Sequence, residues 1–282
     1  MIKLLEKYQP DLIKGKVKIY LLNFESLEDP ILIKIGKLRS ETFGQIGAGT
    51  NKEIDIDEYD LKTTHIIISD DEDIIGSYRV TKMENLIHEG KLKSHISKYY
   101  NLSDKFYEKV DELMELGRSF IQRKYWSGNY LDYLWYGIGE YVRRNRNICL
   151  MYGSISIGNN YSLKAKSYIK AFVDKWYAEY DNEITCIEPY QINEEDYKEM
   201  NSLMNGEDPK FDLKALKHKL EEMGFSVPPL LKKYLNITEI GGAKIKSSAF
   251  EPTFNASSFL LVLDIRQLKE LYRDRYFPFL NK

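Results

Sequence analysis

The chain has 282 residues, 43% apolar and 13% aromatic, enough to bury one large core or two modest ones, so fibrous and disordered classes are excluded. Its formal charge of −2 provides no global field that would select nucleic acid or an anionic membrane, and any basic site has to be local. Cys149 and Cys186 lie far apart in mixed surroundings, which excludes a disulfide framework or a zinc-type spacing and fits a reducing cytoplasm.

The opening MIKLLEKYQPDLIKG breaks its short apolar run at Glu6 and Lys7, so it lacks the apolar core of a secretory signal. No window approaches the roughly 20 apolar residues of a membrane span, and the longest run, FLLVLDI at 259–265, suits a buried strand. The expectation is a cytoplasmic chain, with attachment to the inner membrane face left open.

VKIYLLNF (17–24) reads as a strand, and Ile31, Ile35, Leu38 and Phe43 recur at helical spacing after it. The loop QIGAGTNKEIDIDEYD follows, then THIIIS (64–69) and DIIGSYRVTK (73–82), an antiparallel hairpin turned by DDE. A variable stretch (84–108) leads to KVDELMELGRSFI, an apolar-alternating strand. Next, Leu131, Leu134, Trp135, Ile138 and Val142 mark one face of a helix, and ICLMYGSISI (148–157) is a continuous apolar strand. A helix from about Tyr161 to Tyr177 follows, with Ser162 at its cap position. From 190 the pattern turns helical, including DLKALKHKLEEMGF closed by Gly224 and Pro228-Pro229. Two strands, GAKIKSSAF and SSFLLVLDI, and a last helix at RQLKELYRDRY end the chain. A meander of strands followed by strand–helix–strand–helix predicts an α/β (α+β) fold, a mixed, mostly antiparallel sheet flanked by helices. With no linker, the expectation is one domain over 1–282, with a core at about 17–190 and an extension at about 191–282; a small separate C-terminal domain is the alternative.

Charged residues interrupt several of these apolar elements. Arg39 and Phe43 stand one turn apart, Asp57 and Asp60 close the loop, Arg79 ends an apolar run, and Glu115 and Arg118 share a strand. Buried charge is tolerated only when paired, and three arginines against three acids balance as a cleft-lining network must. Taken singly, each residue fits a fold-fixing ion pair or a solvated face. The series R-x-x-x-F, D-x-x-D, G-x-Y-R, E-x-x-R is what sets them apart.

That series resembles the substrate-side signature shared by acyl-homoserine lactone synthases and the hemolysin-like, ornithine- and glycine-lipid N-acyltransferases of the GNAT superfamily. LRSETFGQIGAGTNKEIDIDEYD, HIIISDDEDIIGSYRV, ELGRSFIQRKYWSG, YLWYGIGEYVRRN, MYGSISIGNNYSLKAKSYI and VPPLLKKYLNI extend the likeness over most of 17–265, and IGAGTNKEIDIDE leans toward the glycine type. The resemblance implies transfer of a long-chain fatty acyl group from acyl carrier protein to an amino acid amine, with no resident cofactor. The donor is the acyl-4′-phosphopantetheine of the carrier protein, or acyl-CoA. It also implies that the strands at 110–121 and 148–157 splay apart.

On that footing Glu115 is the candidate general base, directly or through a water, although pairing with a neighbouring arginine would lower its pKa and make it a poorer one. Arg118, Arg79 or Arg39 would hold an acceptor carboxylate. Asp57 and Asp60 either attract the ammonium group or position the arginines. Ser154, Ser156, Asn159 and Tyr161 would line the cleft beside Phe43. RKYWSGNY has a single glycine where acetyl-CoA enzymes carry a glycine-rich loop, which suits a phosphodiester donor contacted by Ser127, Gly128 and Asn129. Arg123 and Lys124, with Arg143, Arg144 and Arg146, form the candidate patch for an acidic carrier protein, or else the last three merely offset a helix dipole. No nucleic-acid partner and no metal site is expected, and His65, His88, His95 and His218 show no catalytic spacing. The alternatives are lactone synthesis, disfavoured by the chain's length, and a non-catalytic module that binds acyl chains or carrier protein.

Overall fold

Eight strands form one sheet in the computed structural model, which describes residues 4–281. They are β1 (Leu12–Lys14), β2 (Val17–Leu22), β3 (Thr64–Ser69), β4 (Ile74–Lys82), β5 (Leu113–Ile121), β6 (Leu150–Gly158), β7 (Ala243–Glu251) and β8 (Ala256–Asp264). Their order is β1-β2-β3-β4-β5-β6-β8-β7, antiparallel throughout except for the parallel pair β5–β6. The apolar alternation read from the sequence therefore forms the expected mixed sheet. The two strands of the tail are built into it: β8 pairs with β6 along its whole length, from Ala256↔Gly158 to Asp264↔Leu150, and β7 closes the edge.

The longer helices are α1 (Pro30–Gln45), α2 (Tyr130–Arg144), α3 (Leu163–Tyr177), α4 (Glu194–Leu203), α5 (Pro209–Glu222), α6 (Pro229–Ile237) and α7 (Glu270–Tyr276). Asp29 caps α1 by accepting from the amides of Ile31 and Leu32, and Pro30 supplies the fixed φ of a first helical residue. Ser162 caps α3, as its position in the sequence suggests. No helix among the described residues is long and apolar enough to cross a membrane.

The two faces of the sheet differ. One is apolar without interruption: Ile66, Ile68, Tyr78, Val80, Met114, Leu116, Met151, Ile155 and Ile157 pack with α2 and α3 in the largest core cluster. The other carries two separate cores. Tyr20, Ile67 and Phe120 lie under α1 on one side, and Leu113, Tyr152 and Leu260 lie under the segment 83–107 on the other. Side chains alternate along a strand, so Arg79, Glu115 and Ser154, each next to a residue of the apolar face, point to the gap between these two cores.

Two local features shape that gap. Between Ser77↔Phe120 and Arg79↔Gly117 the β4–β5 register slips by one residue, a bulge in which Arg118 takes φ 53°. A non-glycine residue there is strained by roughly 1 kcal/mol and is tolerated because its surroundings fix it. Second, β5 and β6 pair only from Leu113↔Leu150 to Leu116↔Gly153, although both strands run on to Ile121 and Gly158. They fork at Gly153, where an added Cβ would meet the Leu116 carbonyl oxygen at 2.6 Å.

Candidate active site

The IDIDEYD loop organises the site. Asp57 caps the short 3-10 helix Glu58–Lys62, and the Asp57 amide in turn donates to Asp60 Oδ2 at 2.8 Å, a reciprocal box that fixes both carboxylates. Asp60 Oδ1 then receives Arg39 Nη1 at 2.7 Å and Arg79 Nη1 at 3.3 Å, while Arg79 Nη1 reaches Asp57 Oδ1 at 2.7 Å. Arg39 and Asp60 are fully buried. The two aspartates thus stand where they position the arginines. Asp60 is held well below the usual carboxylate range: burial opposes this, and the charges of Arg39 and Arg79 outweigh it.

His65 on β3 completes the inner layer. Its Nε2 lies 3.0 Å from the Asp60 carbonyl oxygen and its Nδ1 lies 3.4 Å from Arg39 Nη2, so the neutral tautomer donates from Nε2 and accepts at Nδ1. Burial, followed by the Arg39 charge, brings its pKa down to about 3. The unfolded chain binds a proton at this ring below 6.5 while the folded chain refuses it until about 3, so stability falls as pH drops through that window. At pH 5 the expected loss is about 2 kcal/mol relative to pH 7. Urea unfolding at the two pH values checks it, and in His65→Gln the difference should shrink by about that amount.

Arg118 is held more loosely. Its Nε is 3.4 Å from Asp55 Oδ2, its Nη2 3.7 Å from Asp57 Oδ2 and its Nη1 3.3 Å from His95 Nε2, and the guanidinium lies over the Phe254 ring at 4.9 Å. Phe43 packs edge-on against Phe254 at 5.2 Å and so supports the wall from behind.

Glu115 departs from the expected pairing. It makes no ion pair with Arg118, because the bulge turns the guanidinium toward Asp55 and Asp57. Instead Tyr152 donates its hydroxyl to Oε2 at 3.0 Å. Its pKa is raised: burial dominates over the opposing Ser94 hydroxyl and Arg79 charge. The third acid of the balanced network is Asp55, 2% exposed, which sequence reasoning missed. Two alternating positions in IDID were its signal.

Ser154 and Ser156 lie on the polar face of β6, and Ser154 donates to Glu251 Oε1. Asn159 sits at the rim: its amide donates to the Gly47 carbonyl at 3.0 Å and its side chain to Asn255, so the loop after α1 and the β7–β8 turn meet over the end of β6. Tyr161 is a correction. Its hydroxyl donates to the Ser226 carbonyl at 2.8 Å and its ring stacks on Phe225, outside the cleft, because β6 has ended and the chain is turning into α3.

The basic patch also needs correcting. Arg123 and Lys124 border a cavity of about 380 Å³ with Glu41, Thr42, Gln45 and Gln122, and Lys124 pairs with Asp73 at 3.0 Å. Ser127, Gly128 and Asn129 lead into α2, whose first turn has no side-chain cap. Arg143, Arg144 and Arg146 lie at the other end of this 15-residue helix, about 22 Å away. There Arg143 and Arg144 are taken up by Glu140, Arg144 also by Asp11, and Arg146 covers Phe279. A single patch spanning both ends does not form.

The acetyltransferase (GNAT) domain family matches residues 38–136, the stretch that runs from Arg39 past Arg118 into α2. Two curated relatives share its sequence over 240 residues, 80% of this chain: the glycine N(alpha)-acyltransferase of Phocaeicola vulgatus, 28% identical with 73% of its length covered, and that of Bacteroides thetaiotaomicron, 27% identical with 71% covered. Among solved structures, the acyl-homoserine lactone synthase LasI is similar at 12% identity and a TM-score of 0.45, over 93% of this chain and 95% of that one. Of the two forked strands β5 lies within the matched residues and β6 beyond them, and the buried acids and arginines lie beside both.

Proposed function

We propose that the protein is an N-acyltransferase that moves a long-chain fatty acyl group from acyl carrier protein to the amine of an amino acid, glycine or one of ornithine type. The observation that carries this reading is the fork beyond Leu116↔Gly153, with Glu115, 6% exposed, one residue before it. Beyond the fork β5 keeps its pairing with β4 but has no partner strand on the β6 side, and backbone N–H groups facing that side would supply donors for the pantetheine arm and for the oxyanion of a tetrahedral intermediate. The two curated glycine acyltransferases support the acceptor class.

In the reaction the acceptor ammonium first gives a proton to the Glu115 carboxylate, whose other oxygen Tyr152 holds. The free amine attacks the thioester carbon and the C–N bond forms; as the C–S bond breaks the sulfur takes the proton from Glu115 and leaves as a thiol, and the second amine proton passes to the Glu115 carboxylate so freed and on to solvent, leaving the amide N–H. A raised pKa makes Glu115 a stronger base than an ordinary carboxylate. The cavity beside Arg123 and Lys124 is the proposed place for the donor's phosphate, and the single glycine in RKYWSGNY favours the carrier protein over CoA.

Incubation of the purified protein with palmitoyl carrier protein or palmitoyl-CoA and a panel of amino acids, read by mass spectrometry, tests this. An N-palmitoyl amino acid formed faster from the carrier protein is the expected product. A lactone from S-adenosylmethionine, or donor binding with no amide, would refute it.

A further inference from the structure

Across the fork from Glu115 a second carboxylate is buried with an unmet oxygen. Glu251 ends β7 at 1% exposure. Ser154 on β6 satisfies its Oε1, but Oε2 accepts no hydrogen bond among the described residues. The imidazole of His95, from the segment 83–107, stands 3.5 Å from that oxygen with its Nε2. The same Nε2 faces Arg118 Nη1 at 3.3 Å, and Arg118 Nε is itself buried without a hydrogen-bond partner. One imidazole therefore separates an anionic acceptor from a guanidinium donor, each with one atom that has only a long ion-pair contact, Glu251 Oε2 to His95 at 3.5 Å and Arg118 Nε to Asp55 at 3.4 Å, and no hydrogen bond. A buried polar atom that no hydrogen bond meets is costly, so two such atoms on either side of one ring mark a place that a ligand completes.

The ligand must bring a donor to Glu251 and a carboxylate-like acceptor to Arg118. A thioester or phosphate brings only acceptors, which Glu251 repels, and the adjacent guanidinium opposes a metal cation. An α-amino acid in its zwitterionic form brings both. We propose that Glu251 and Arg118 are the two ends of the acceptor subsite, Glu251 receiving the ammonium group and Arg118 the carboxylate, with His95 as the spacer between them. This deepens the N-acyltransferase reading and rests on it.

The surrounding groups agree. Tyr100 and Ser258 bond to each other beside Ser154, the Tyr99 and Phe254 rings pack edge-on to His95, and Asp55 and Asp57 face Arg118 from the loop. Burial and the Arg118 charge hold His95 below its usual pKa, so the imidazole is neutral. Glu251 is also displaced downward: burial opposes this, but the imidazole beside it and the hydroxyls of Ser154 and Ser258 prevail. Glu115 is displaced upward. Two carboxylates pushed apart in this way divide the work, one staying ionised to hold a cation and the other exchanging the proton.

Glycine is varied at saturating palmitoyl carrier protein for the wild type, Glu251→Gln and Arg118→Gln, with glycolate, which has the carboxylate but no ammonium, as competitor. Glu251→Gln is isosteric and keeps the Ser154 contact. It should raise the glycine KM about 10- to 100-fold, leave the donor KM within about twofold and leave glycolate inhibition unchanged. Arg118→Gln should weaken glycine and glycolate together. An unchanged glycine KM in Glu251→Gln, or equal loss of glycine and glycolate there, overturns the assignment. Should the glutamine variant melt early, Glu251→Asp, which keeps the charge and shortens the reach, should give an intermediate KM, and a wild-type value overturns the proposal. If the wild type makes no amide at all, the functional reading fails, and calorimetric titration of glycine into the donor-free protein still decides the subsite. Binding that Glu251→Gln weakens supports it, and no binding to the wild type refutes it.

Discussion

Glu115→Gln should retain the fold and lose about 10²- to 10⁴-fold in kcat, the usual contribution of a positioned proton acceptor. The amide keeps the volume and can still accept from Tyr152, so circular dichroism and the thermal midpoint should change little. Its strand is secured by neighbours on the opposite face, Met114 and Leu116, both in the main core. What the variant lacks is a group that takes a proton. The sign with pH follows from the direction of the shift: burial raises the carboxyl above its ordinary value of 4.5, so the wild-type rate should fall as pH drops through the raised value. That acidic limb should be missing from the residual activity of Glu115→Gln. Near-normal turnover in the variant would remove Glu115 from the chemistry and leave it as a buried partner of Tyr152.

The sequence carried the strands, the long helices and the acid-and-arginine series because each obeys a local period or spacing. THIIIS and DIIGSYRVTK paired as expected, and Arg39, Asp57, Asp60 and Arg79 do converge. What could not be read is set by geometry between distant segments. The bulge puts its positive φ on Arg118 rather than on the adjacent Gly117, and it decides that this guanidinium faces Asp55 and Asp57 rather than Glu115. His95 and Glu251 are 156 positions apart in the chain and meet only because β8 lies between β6 and β7, which brings the end of β7 beside the fork. Two basic groups that flank one helix in the sequence looked adjacent, while the rigid length of α2 holds them apart.

Arg39→Met should cost about 3–5 kcal/mol of stability, because it strands a buried carboxylate rather than merely removing a contact. For a chain of this size the melting midpoint should drop on the order of 10 °C. Arg39 supplies Asp60 with its shortest ion pair at 2.7 Å, and its fork also reaches the Asp55 carbonyl oxygen and His65 Nδ1, each at 3.4 Å. Arg79 cannot replace it, since it lies 3.3 Å from the same oxygen and is already committed to Asp57. The exposed pair Lys18–Asp71, with side chains 36% and 75% accessible, is the control, and Lys18→Met there should leave the melting midpoint almost unchanged. Adding Asp60→Asn to Arg39→Met should restore part of the loss, because a neutral amide in that place removes the stranded charge while still accepting from the Asp57 amide. Recovery in the double variant with activity still absent would mean that Asp60 serves the reaction by holding Arg79 in place. A stable Arg39→Met single variant that has lost only its use of the amino acid would instead put the Arg39 guanidinium on the substrate, and the inner layer would have to be redrawn as part of the binding surface.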